Sequence, residues 1–277
     1  MERFDLPTIQ ATLNTQVFGR ELLYLPSTGS TNEVAKDLAA RETPEGMVVL
    51  ADEQTAGRGR LGRRWLAPPG TCLLCSILFR PDLPPSQAQQ LTMLCSLAAA
   101  DAVEQVSELR VTIKWPNDLI VRSRIPNPES RNWRKLAGVL TETGVMGERL
   151  DFVVVGIGVN VNVEPDVLPT LAPHATSILA EVMQPADRLA LLATLLGGVE
   201  RRYEALHAGE SPHREWAARL ATLGQPVRVT TSAGALTGVA ESVDEDGALL
   251  LRTPDGELRR LLAGDVTLSR SGSRYGC

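Results

Sequence analysis

The stretch ADEQTAGRGRLGRRWLAPPG runs from Ala51 to Gly70, and its reading decides the fold. Gly57, Gly59 and Gly62 spell G-x-G-x-x-G, the pattern that opens the first helix of a dinucleotide-binding βαβ unit. Here RRWLAPPG follows, and two prolines with a glycine forbid a helix at that place. A kinase glycine loop would need a later V-A-I-K lysine and an H-R-D, and neither occurs. The Gly-Lys-Ser/Thr of a Walker loop is absent as well. What remains is a flexible loop with three glycines and four guanidiniums (Arg58, Arg60, Arg63, Arg64) and no acid between Gly57 and Trp65. Glycine lets backbone amides turn toward an anion, and arginine forks onto phosphate oxygens. The alternative is a solvated basic surface loop.

On either side, MVVLADEQ and TCLLCSILF read as strands, and GSTNEVAKDLAA as a helix with Ser30 and Glu33 at capping-box spacing. PPSQAQQLTMLCSLAAADAVEQV is a long helix with Leu91, Leu94, Cys95, Ala98 and Ala102 on one face. VTIKW and DLIVR are strands around a Pro116-Asn117 turn, and KLAGVLTET and DFVVVGIGVNVNV form a hairpin turning at Gly147. SRIPNPESRNWR between them reads as a mobile loop. DRLALLATLLGGVERRYEAL and PHREWAARLA are helices, and after Leu223 short β segments follow at close intervals. Residues 1–22 hold at most one short helix, around Ile9 to Val17. The domains expected are a segment 1–22, a ligand-binding domain 23–222, a small β domain 223–270 and a frayed tail 271–277.

Composition narrows the function. The 277 residues carry 28 Lys+Arg against 33 Asp+Glu, a net charge of −5, and 4% aromatics; both oppose a bulk nucleic-acid binder. MERFDLPTIQ has no apolar signal region and no run of 18 apolar residues occurs, so a cytoplasmic protein off the membrane is expected. Cys72 and Cys75 sit on a strand and face opposite sides, so they read as small buried residues rather than metal ligands. His174, His207 and His213 are scattered. Lysine occurs only as Lys36, Lys114 and Lys135 beside 25 arginines, which points to compact charges a guanidinium cannot replace, or to chance.

Lys114, Asn117 and Asp118 flank a proline-fixed turn at a strand end, which reads as ligand groups or as an Asx-type turn beside a buried Trp115. Lys135 heads a strand, and Gly156 and Gly158 thin another, marking a close approach or a bulge. Together these fit a nucleoside triphosphate held against a sheet with a second ligand nearby.

GSTN, DEQTAGRGRLGRRW, KWPNDL, KLAGVLTE and GIGVNVN, in this order and spacing, resemble the biotin protein ligases. The likeness covers roughly Leu23 to Leu268. It implies an α+β fold: a mixed sheet flanked by helices, akin to the class II aminoacyl-tRNA synthetase core, with a small C-terminal SH3-like β-barrel. It implies ATP and biotin as substrates with Mg²⁺, formation of biotinyl-AMP, and transfer of biotin to a lysine of a biotin carrier domain of a carboxylase. Some members carry an N-terminal winged helix; residues 1–22 have no room for one, so no DNA partner is expected, and the chain is expected as a monomer or homodimer.

By motif, the resemblance places Ser30, Thr31, Asn32 and Gln54 around the biotin ureido group. Arg58, Gly59 and Arg60 lie in the loop that orders over biotin and the adenylate. Lys135 reaches the biotin carboxylate and the α-phosphate, while Gly138, Gly156 and Gly158 let biotin and nucleotide lie close to the sheet. Trp65, Asn117 and Asn160 fall at the nucleotide. Arg58, Lys135, Lys114 and Asp118 are the catalytic candidates, Asp118 to position or deprotonate the acceptor amine. Leu61 stands where a basic or polar residue is frequent, and the prolyl loop from Arg122 to Arg134 is longer than usual. A lipoate or octanoate ligase or transferase of the same fold is the nearest alternative, and a nucleic-acid-binding regulator a more distant one.

Overall fold

The computed structural model describes residues 4–123 and 132–268. Seven strands form a mixed sheet: β1 (Leu22–Leu25), β2 (Val48–Ala51), β3 (Cys72–Phe79), β4 (Val111–Lys114), β5 (Asp118–Arg122), β6 (Trp133–Met146) and β7 (Arg149–Asn160), in the order β1-β2-β3-β7-β6-β5-β4. Only β1 and β2 run parallel. The helices are α1 (Leu6–Thr12), α2 (Thr31–Ala39), α3 (Gln89–Ser107), α4 (Leu168–Leu171), α5 (Ile178–Val182), α6 (Arg188–His207) and α7 (His213–Ala218).

Strand alternation sorts the sheet into two faces. Leu73, Cys75, Ile77 and Phe79 of β3, with Val153, Val155, Ile157 and Val159 of β7, join the main core with α3 and α6. On the opposite face, α2 covers Leu78 and Val154 at one end. Residues around α4 and α5 cover Cys72 and Leu74 at the other. Between these lids the face carries Ser76, Gly156 and Gly158, which have little side chain with which to close it. Cys72 and Cys75 therefore do point to opposite faces, both buried, and burial pushes their thiols up to about 11 and about 12.

The N-terminal segment packs into the main core. Its helix is Leu6–Thr12, not Ile9–Val17, because Asp5 caps Thr8 and Pro7 occupies the first turn. Ile9, Leu13 and Phe18 are buried in the main core. Glu200 of α6 accepts the backbone N–H groups of Gln16, Val17 and Phe18 at 2.6–3.0 Å. Burial alone would raise the Glu200 carboxyl; those three amides, with Arg20 nearby, hold it below its ordinary value of 4.5. A lowered folded-state pKa stabilises above the ordinary value and is lost as pH falls through the folded one. We expect Glu200→Gln to lower Tm at neutral pH, with the gap to the wild type narrowing as pH falls below about 4.5. A gap independent of pH would show that the carboxylate charge contributes nothing.

After α7 come β8 (Pro226–Thr231), β9 (Gly234–Val243), β10 (Leu249–Arg252), β11 (Leu258–Leu261) and β12 (Asp265–Leu268), an antiparallel sheet ordered β11-β10-β9-β8-β12. It shares a core with the larger unit: Met93 and Leu97 from a second face of α3, Ile113 and Trp115 meet Val227, Val229, Leu249 and Val266. Trp115 is 1% exposed, and its indole N–H donates to the Gly247 carbonyl at 2.9 Å. The tryptophan between Lys114 and Pro116 thus fixes the small sheet, and β12 comes to rest beside the open face of the large one. Among the described residues no helix is long and apolar enough to cross a membrane. The tail 271–277 and most of the Arg122–Arg134 loop lie outside the described residues.

Candidate active site

A cleft of about 480 Å³ lies over the open face of the large sheet. It is lined by Ser30, Thr31, Asn32, Gln54, Arg58, Gly59, Arg60, Trp65, Lys114, Asn117, Asp118, Lys135, Gly138, Gly156, Gly158 and Asn160, every site residue expected from the sequence. Gly264 to Thr267 of the small sheet complete the wall.

At one end, neutral hydrogen-bonding groups line the cleft. The backbone N–H and hydroxyl of Thr31 donate to Gln54 Oε1 at 2.8 and 3.0 Å. Ser76 Oγ lies 2.7 Å from Thr31 Oγ1 and 2.6 Å from Asn32 Oδ1. Asn32 Nδ2 donates to Glu142 Oε2 at 2.8 Å. Ser30 caps α2 by position only, with no side-chain bond, so the expected capping box does not form. Glu33 instead engages Lys36 at 2.7 Å and Arg58 at 2.5 Å.

The other end is cationic. Lys135 and Gly138 are three apart in β6 and would point to opposite faces of a regular strand. The register shifts opposite Leu119 and Ile120, which pair with Ala137 and Lys135 and leave Leu136 unpaired. This β-bulge sends Leu136 and Ala137 together into the main core and leaves Lys135 and Gly138 on the cleft side. The Lys135 backbone is pinned by bonds to His174 O at 2.7 Å and from Thr176 N at 2.9 Å. Its Nζ stands 2.5 Å from Asp118 Oδ1 and 5.5 Å from the Trp65 ring centroid. Asp118 is thus the counter-ion of Lys135.

The arginine stretch is not the loose loop its composition indicates. Gly59 N donates to Arg63 O at 2.7 Å and Trp65 N to Gly57 O at 2.9 Å, closing a small hairpin with a turn at Arg60–Gly62. Nor is it without acids in space: Arg58 pairs with Glu33, and Arg63 with Asp265 of β12 at 2.5 Å. Arg60 Nη1 donates to Asn117 Oδ1 at 3.1 Å, and Asn117 Nδ2 to Val139 O at 2.6 Å. Burial lowers the Arg60 pKa despite Asp118 and Asp265 nearby, but a guanidinium stays charged. Burial alone would raise the Asp265 carboxyl; the Arg63 hydrogen bond, with Lys114 and Arg60, holds it below the usual carboxylate range.

The glycines of the sheet have a nearer role than the one expected. A Cβ on Gly158 would stand 2.7 Å from the Trp65 ring, and one on Gly156 only 2.1 Å from Asn32 Oδ1. They admit the protein's own Trp65 and Asn32 to the floor of the cleft. Trp65 Nε1 is buried without a hydrogen-bond partner. Asn160 Nδ2 donates to Thr176 O at 2.9 Å, so that amide orders the cleft's far wall. Gly156→Ala is expected to push Asn32 off the floor and raise the KM for the ligand bound there about tenfold, roughly 1.4 kcal/mol. An unchanged KM in a folded variant would remove Asn32 from the ligand contacts.

Ser76, Glu142 and Asp265 were not singled out from the sequence, and Glu33 only as a helix-capping residue. Ser76 had a signal, a lone hydroxyl in CLLCSILF. Glu142 and Asp265 had none, since each meets its partner across the fold. No group of three His, Cys, Asp or Glu able to hold a metal occurs among the described residues. The two aspartates of the cleft are each engaged by a cation.

Residues 24–160 match the model of the biotin/lipoate A/B protein ligase family, and residues 222–269 that of the biotin protein ligase C terminal domain. The chain is 34% identical over 263 residues to the bifunctional ligase/repressor BirA of Bacillus subtilis, covering 94% of this chain and 78% of that protein. It is 32% identical to the biotin--[acetyl-CoA-carboxylase] ligase of Mycobacterium tuberculosis, covering 96% of this chain and 97% of that one. Among solved structures, it resembles the biotin protein ligase from Aquifex aeolicus in complex with biotin and ATP. There the TM-score is 0.72 at 28% identity, over 91% of this chain and 100% of the other.

Proposed function

The chain belongs to the biotin/lipoate A/B protein ligase family and is a biotin ligase, and on that premise we propose how its cleft makes and spends biotinyl-AMP. The observation that carries the reading is the polarity of one cleft, with neutral amide and hydroxyl groups at one end and Lys135, Lys114 and Arg60 at the other. The ureido ring is a neutral donor–acceptor group and suits Thr31, Asn32 and Gln54, with Ser30 beside them. The valeryl tail crosses the Gly138 and Gly156 floor and brings its carboxylate to Lys135. The nucleotide lies toward Trp65, Asn117, Gly158 and Asn160.

In the first half-reaction a biotin carboxylate oxygen attacks the α-phosphorus of ATP, and the bond to the β-phosphate breaks with loss of pyrophosphate. Two anions must meet. The Lys135 ammonium, held by Asp118, and the guanidiniums of Arg58 and Arg60 offset that repulsion and stabilise the charge developing at phosphorus. In the second, the ε-amine of a carrier-domain lysine attacks the mixed anhydride, AMP leaves, and the amine proton is lost toward Asp118. The hairpin from Gly57 to Trp65 keeps water from the intermediate. The cleft's own acids do not compose a cage for Mg²⁺, so the metal belongs to the triphosphate in this reading.

We take the large sheet as a class II synthetase-like core, the small one as an SH3-like barrel, and the cytoplasm as the site of action. Titration calorimetry with biotin and with lipoate tests the reading. Biotin is expected to bind and lipoate not, since lipoate offers no ureido group to Thr31, Asn32 and Gln54. Equal binding of both would contradict it.

A further inference from the structure

Lys36 does not line the cleft, and the adenylation chemistry has no use for it. Yet it is one of three lysines in a chain with 25 arginines. Its Nζ lies 2.7 Å from Glu33 Oε1 and 2.7 Å from Glu142 Oε1. Each carboxylate reaches a different part of the site. Glu33 Oε1 accepts Arg58 Nη1 of the arginine hairpin at 2.5 Å. Glu142 Oε2 accepts Asn32 Nδ2 at 2.8 Å on the polar floor. Resting on the biotin-ligase reading for what the cleft holds, we infer that Lys36 is a positioning residue that shares Glu33 with Arg58 and fixes Glu142 on Asn32.

Asn32, Glu33 and Lys36 lie at i, i+1 and i+4 of α2, so the ammonium rises beside Asn32 and one turn from Glu33. Arg58 must leave Glu33 to reach a ligand phosphate. Without Lys36, that departure strands the Glu33 carboxylate next to Glu142. With Lys36, Glu33 keeps a cation at 2.7 Å throughout, and releasing Arg58 costs less. Lys36 and Glu142 are each about a quarter exposed, so solvent screens this pair less than a free surface pair. Burial alone would raise the Glu142 carboxyl; Lys36 and Asn32 hold it below the usual range.

Two measurements test this. The first needs no ligand: amide hydrogen exchange at Gly59 and Trp65, whose N–H groups close the hairpin. Lys36→Met leaves Glu33 to Arg58 alone, so exchange is expected about threefold slower. Glu33→Gln is expected to exchange faster than wild type, and the double variant to match Glu33→Gln. A lysine with only a structural role would give the opposite sign, a looser hairpin. The second is biotin-dependent pyrophosphate exchange. Lys36→Met is expected to raise the KM for biotin about fivefold with kcat within about twofold, and Lys36→Arg to restore it. Faster hairpin exchange in Lys36→Met, or a biotin KM equal to wild type, overturns the inference. A wild-type protein that turns over no biotin but shows the hairpin pattern supports the sharing of Glu33 and removes the biotin reading.

Discussion

Lys135→Arg is expected to lose nearly all adenylation while keeping its charge. The ammonium is held at one point: Asp118 Oδ1 is 2.5 Å away, and the Trp65 ring centroid lies 5.5 Å from Nζ. Its backbone cannot shift to make room, because β5 flanks it on one side and the 174–176 segment on the other. A guanidinium is wider and planar, and cannot place the same compact point charge between a carboxylate and a phosphate. By analogy with removing one oxyanion donor, about 2.7–4 kcal/mol of transition-state stabilisation should go, on the order of 10²–10³ in rate. The measurement is biotin-dependent pyrophosphate exchange at saturating biotin and ATP. A Lys135→Arg rate within about threefold of wild type would refute the role assigned to the ammonium.

Arg58→Gly is expected to leave the fold intact and release the adenylate. The side chain is 57% exposed and pairs with Glu33, itself 40% exposed, so the core loses nothing. The hairpin is closed by backbone bonds of Gly59 and Trp65, which glycine at position 58 does not remove. What goes is a cation poised at the cleft mouth. A hydrogen bond to a charged group contributes about 1.5–3 kcal/mol, so release should quicken roughly tenfold or more. Free mixed anhydride acylates exposed amines, so bystander proteins mixed with the variant, biotin and ATP should gain biotin. Retention of the intermediate as tight as in wild type would show that Arg58 does not close over it.

Much of this was legible because it is local. The strands around the arginine stretch and the hairpin at Gly147 follow from alternation and turn chemistry, and Lys114, Asn117 and Asp118 were found because a proline fixes their turn. What was not legible depends on residues far apart in sequence. Arg63 meets Asp265 only because Trp115 seats the small sheet beside the cleft. Lys135 faces the cleft only because of a bulge at Leu136 that no spacing rule announces. Glu33 has a capping spacing, yet its carboxylate goes to Lys36 and Arg58, since two cations outcompete a backbone amide for it. Gly156 and Gly158 were recognised as sites of close approach, but what approaches is the protein's own Asn32 and Trp65.

On this reading, the cleft couples ATP cleavage to amide formation between biotin and one lysine. That coupling is tested most directly by incubating the protein with a biotin carrier domain, ATP and biotin, and mapping the product by intact-mass and peptide mass spectrometry. A single biotin on a single carrier lysine is expected, requiring both ATP and biotin, with AMP and pyrophosphate released in equal amounts. A carrier left unmodified, or modified equally with lipoate in place of biotin, would contradict it.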